Sequence, residues 1–129
     1  MQDEPRPEEV LAAVARFLRD VVAKETSGHT GFNVRVSANA LEMMRRQLEL
    51  APVGEAAERS RLIEILGEEG DLASLNAAFC ARLARGELDL KSPGVADHLW
   101  ATTLDKLAVD QPTYWGYRAA LAERADGNA

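Results

Sequence analysis

The chain has 129 residues, of which 47% are apolar, 28% charged and 5% aromatic, and its formal net charge is −6. That length suits one ordinary domain able to bury a core without disulfide or metal staples. The acidic balance repels polyanions, whose recognition needs clustered Lys and Arg. The densest basic spot, Arg45–Arg46, is flanked by Glu42 and Glu49, so neither nucleic acid nor an acidic membrane surface is an expected partner.

Cys80 is the single cysteine, which rules out an intramolecular disulfide. Residues 1–9 are acidic and contain proline, unlike a signal peptide. No apolar run approaches membrane-spanning length. A soluble cytoplasmic protein is expected.

In chain order, residues 1–6 read as a frayed arm. Pro7, Glu8 and Glu9 open a helix, with fixed φ in the first turn and acidic side chains at the positive end of the dipole. Val10, Val14, Phe17 and Val21 mark an apolar stripe on it, with Leu11, Leu18 and Val22 alongside, to about Lys24. Residues 26–31 (TSGHTG) read as a break. Phe32, Val34 and Val36 then alternate as a strand would, but the longer count decides for helix. Val36, Ala40, Met44 and Leu48 share one face, and Arg35, Asn39, Glu42, Arg46 and Glu49 the other.

Pro52 and Gly54 are expected to end that helix. A third runs from about 55 to 66, with Leu62, Ile63 and Leu66 inward and Gly67 as its stop. Asp71 is the expected N-cap of a fourth, whose inward residues are Leu72, Leu75, Phe79 and Leu83 and which Gly86 closes. Ser92 and Pro93 open a fifth, with Leu99, Trp100, Thr103, Leu104 and Leu107 as its main buried face. Val95, Ala101, Ala108 and Val109 make its other side apolar too, as in a central helix or a subunit contact. Pro112 starts a last helix through Leu121, and residues 125–129 should fray. The expectation is an all-α fold: a single compact, bundle-like domain over residues 1–129, built of five to six short helices.

Few residues point to chemistry. His29 and His98 are the two histidines, with no paired-ligand spacing, so no metal is expected. Cys80 follows Phe79 on an inward face and reads as a small core hydrophobe. Gly28, Gly31, Gly67 and Gly70 form neither a phosphate loop nor a dinucleotide fingerprint, so no cofactor is expected. Two polar stripes remain. Arg35, Asn39, Glu42 and Arg46 make either a solvated face with a Glu42–Arg46 pair or a cation and amide presented to an anion. His98, Thr102, Lys106 and Asp110 follow at four-residue spacing, with Lys106 and Asp110 expected to pair. Tyr114, Trp115 and Tyr117 cannot all face one way on a helix, so part of this aromatic cluster suits a contact surface. With Val109 they form the candidate interface.

Residues 32–41 (FNVRVSANAL), 70–76 (GDLASLN) and 104–114 (LDKLAVDQPTY) occur in this order in a bacterial family of small all-helical proteins of unknown function. The chain resembles that family from about residue 7 to 121. Its members are often encoded beside aminoglycoside-phosphotransferase-like kinases and acyl-CoA dehydrogenases. The resemblance implies a non-catalytic accessory subunit of a kinase acting on hydroxyacyl-CoA thioesters in acid catabolism, with the larger partner supplying the nucleotide site. It also marks Arg35, Asn39, Asn76, Lys106 and Asp110 as matched positions without assigned roles. One departure is Asn33, where the family pattern implies histidine. Two alternatives stay open: a small anionic-ligand-binding protein or enzyme using Arg35, Asn39 and Lys106, and a homo-oligomeric helical protein without a ligand.

Overall fold

A computed structural model describes residues 4–126, and they are all-α. The first helix, α1, spans Pro7–Phe17 and continues through a π-helical turn, Leu18–Val22, into Ala23–Glu25. Within the π turn the Ala23 N–H reaches the Leu18 carbonyl, five residues back. At the start of α1 the Glu9 carboxylate reaches back to accept from the Arg6 N–H at 2.8 Å, which holds its pKa below the usual carboxylate value. This bond satisfies a donor that would otherwise have no partner at the helix entry.

The expected break at 26–31 is shorter in the structure. Only Thr26 and Ser27 lie outside helix, and α2 spans Gly28–Leu66. A Cβ on Gly31 would lie 3.0 Å from the Thr26 carbonyl oxygen, so glycine permits this tight return. The two helices expected to part at Pro52 and Gly54 are therefore one helix of 39 residues with Pro52 inside it. Proline removes one N–H donor from a helical ladder; good helix formers such as Leu48, Glu49, Leu50, Ala51, Glu55 and Ala56 on both sides carry the helix through.

The remaining helices are α3 (Leu72–Ala84), α4 (Val95–Asp110) and α5 (Trp115–Asp126). Asp71 caps α3 as expected, accepting from the Ser74 N–H at 2.8 Å. Helix α4 begins two residues later than expected. Ser92 and Pro93 belong instead to a turn organised by the Asp89 carboxylate, which accepts from the Lys91 and Ser92 N–H groups. Gly94 then enters α4 at φ 79°, where a Cβ would also meet Ile65 at 3.2 Å. Likewise Pro112 lies in a turn, and α5 starts later and runs further than expected, through Ala125 to Asp126. Residues 1–3 and 127–129, expected to fray, lie outside the described residues.

The chain divides into two compact units, Met1–Leu50 and Ala51–Ala129. The second holds a conventional core: Leu62 and Leu66 of α2, Leu75 and Phe79 of α3, and Val95 of α4. Each such side chain contributes about 1.5–3 kcal/mol by leaving water. The loop after α2 is pinned from both sides. Arg82 donates to the Leu66 carbonyl and pairs with Glu68, and Arg59 donates to the Gly70 carbonyl at 2.7 Å. The first of these bonds satisfies a carbonyl left without an intrahelical partner at the end of α2, and the last a carbonyl of the loop that follows.

The first unit is different. Among its described residues the fully buried side chains are Ala15 and Ala38, while Leu11, Leu18, Val34 and Leu41 are half-buried. The stripe Val10, Val14, Phe17 and Val21 is exposed, as are Val36, Ala40, Met44 and Leu48. Small residues allow close helix approach but bury little apolar area.

Candidate functional site

The second unit gathers polar side chains at one place beside its core. The buried residues of α4 are Val95, His98 and Leu104, whereas Leu99, Trp100 and Thr103 of the expected face are exposed. Leu104 of the expected face is buried, and Val95 on the opposite side is buried as well; His98, on the side of Val95, lies inside at 2% exposure. The ring meets Phe79 of α3 edge-on, with centroids 4.9 Å apart. Its Nδ1 is buried without a protein hydrogen-bond partner among the described residues. Burial, reinforced by the Arg61 cation and by Lys106 and opposed by Glu58, holds the imidazole below the usual histidine pKa. At neutral pH it is an uncharged ring.

Around it stand side chains from three helices. From α2, Arg61 reaches Thr102 at 3.4 Å and Asp105 at 3.5 Å on α4, while its Nε is buried without a partner. Glu58, one turn earlier, accepts from Asn76 of α3 at 2.9 Å. Chain spacing alone could not have found Arg61 or Glu58, because they sit on a charged helix stretch that reads as solvated surface. The polar stripe beginning at His98 starts in the core and runs outward, so Lys106 and Asp110 are exposed. They do not form the expected pair. Asp110 accepts from Gln111, and water competes well with an ion pair at exposed positions.

Of the five matched positions, Asn76, Lys106 and Asp110 belong to the second unit, and Arg35 and Asn39, both exposed, to the first. The first unit carries a groove of about 420 Å³ lined by Arg6, Arg16, Arg19, Glu42, Arg45 and Glu49 among others. Arg35 and Asn39 are not in its lining. Its floor is an ion-pair chain. Arg45 bridges Glu42 at 3.2 Å and Glu49 at 2.6 Å. Cys80, expected in the core, is exposed, because one helical step from the buried Phe79 leads out of the contact face.

The candidate interface divides. Val109 and Tyr117 are half-buried, whereas Tyr114 and Trp115 are exposed. Trp115 is 75% exposed, and its ring packs against that of Tyr114 with centroids 5.6 Å apart. The Tyr114 ring lies over Gly116, where a Cβ would come within 2.7 Å of it. Glycine at 116 thus seats the tyrosine, and the tyrosine seats the tryptophan. Arg118 and Leu121, also exposed, follow on the adjoining face of α5.

Among the described residues no helix is long and apolar enough to cross a membrane. No curated protein and no solved structure matches the chain. The family described as a domain of unknown function (DUF6285) matches residues 24–114, most of the chain, and the chain belongs to that family.

Proposed function

We propose that the chain is a non-catalytic accessory subunit that docks a larger protein through the exposed aromatic pair at the start of α5. One observation carries this reading: a tryptophan 75% exposed yet held in place by Tyr114, which itself rests on Gly116. Trp, Tyr and Arg are the side chains that most often dominate binding energy at protein interfaces. A pre-seated ring also loses little rotamer freedom on docking. Arg118 and Leu121 extend the surface with a cation and an aliphatic contact.

For the partner we propose a phosphotransferase-like kinase acting on hydroxyacyl-CoA thioesters. This finer reading is supported by the resemblance stated above and by the lack of any phosphate-binding motif in the sequence, so that the nucleotide site belongs to the partner. The test is co-expression with a neighbouring phosphotransferase-like kinase, followed by size-exclusion chromatography with light scattering. A complex of wild-type chain that Trp115→Glu dissolves supports the reading. A kinase that elutes alone beside the wild-type chain overturns it.

A further inference from the structure

A two-helix unit whose fully buried side chains, among the described residues, are alanines leaves its large apolar side chains to be covered by something else. In the first unit Val10, Val14, Phe17 and Val21 are each between 41% and 56% exposed. Their spacing of four, three and four residues is the heptad seam by which helices pair. On α1 the stripe lies across the helix from Ala12, Arg16 and Arg19, which line the charged groove. On α2, Met44 and Leu48 are likewise exposed and outside the groove lining, with Met44 across the helix from Glu42. The unit therefore has one charged side and one apolar side.

We propose that the apolar side, formed by Val10, Val14, Phe17 and Val21 with Met44 and Leu48, joins the same surface of a second copy. The result is a four-helix arrangement about a twofold axis. Area supports this occupant. Six such residues, each roughly half-exposed out of about 150–200 Å², offer about 500 Å² of apolar surface per copy. Apolar atoms make up about 65% of homodimer interfaces, so the whole contact approaches the ~800 Å² per partner of a standard stable interface. A seam with heptad spacing and no charged residue within it is also self-complementary, as a twofold contact requires. The contact is independent of docking at Trp115.

The test is light scattering on the full chain at tens of micromolar, alone. The expected mass is twice the 14.1 kDa of one chain. Val14→Glu with Phe17→Glu should give a monomer that keeps its helical circular dichroism, while Arg16→Glu on the groove side leaves the dimer intact. If the double glutamate variant does not fold, Phe17→Ala and Val21→Ala replace it and should each weaken the dimer at least tenfold. A wild-type chain of monomer mass overturns the proposal, because the face is then covered within one chain. A dimer indifferent to these substitutions overturns it as well, because the contact then lies elsewhere.

Discussion

His98 offers a prediction in which packing and protonation can be separated. Its ring fills a fully enclosed place against Phe79, so His98→Ala leaves a cavity and should cost about 2–4 kcal/mol. His98→Leu restores the volume but gives up the edge contact, a loss of about 0.5–1.5 kcal/mol. The same substitution removes a buried nitrogen that has no protein partner, whose desolvation costs about 1–3 kcal/mol. The two effects offset, and His98→Leu should lie within about 1 kcal/mol of wild type at neutral pH. Acid separates them further. The folded state holds His98 neutral below its ordinary pKa of about 6.5. The unfolded chain takes up the proton more readily, so wild-type stability is fully present above that value and lost as pH falls below it. The leucine variant lacks this loss and should become the more stable protein in acid. Urea denaturation followed by circular dichroism, at neutral pH and at about pH 5, reads both effects. A His98→Leu cost above about 3 kcal/mol, or parallel acid losses in the two proteins, would contradict a neutral, unpartnered His98 in the core.

Three further outcomes follow from local geometry. Pro52→Ala restores a donor inside a continuous helix and should raise stability by about 1–3 kcal/mol; an unchanged or lower denaturation midpoint would speak against the unbroken 39-residue helix. Asp71→Ala removes the cap bond to Ser74 and should cost about 1 kcal/mol, with Asp71→Asn retaining most of it. Gly116→Ala drives a Cβ into the Tyr114 ring, so Trp115 fluorescence should shift in a Trp100→Phe background while overall helicity holds; an unshifted spectrum would mean that the glycine does not seat the aromatic pair.

The helices were legible because amphipathic spacing and end signals are local. Asp71 as a cap, Gly67 and Gly86 as stops, and Leu62, Leu66, Leu75 and Phe79 as core were all readable from one or two turns of sequence. Which face meets which neighbour is not a local property. On α4, Leu99 and Trp100 of the favoured face proved exposed while Leu104 is buried, and His98 lies inward on the other side against Phe79 of α3. Proline at 52 misled for a related reason, since its penalty is fixed while the helix-forming residues on both sides act together. In the first unit the apolar stripe was visible, but periodicity cannot tell a stripe that meets its own chain from one left for another. The aromatic cluster was seen, whereas the role of Gly116 needed the position of the Tyr114 ring. The cluster of Arg61, Glu58, Asn76 and His98 joins three helices far apart in sequence, and no spacing announces it.

The accessory-subunit reading is tested most directly by the mass of the particle formed when this chain is co-expressed with a phosphotransferase-like kinase encoded beside it. A co-eluting complex is expected for the wild-type chain and separate species for Trp115→Glu, with the variant as helical as the parent. A kinase of unaltered mass with wild-type chain present, under low salt and with nucleotide and CoA thioester added, would contradict it.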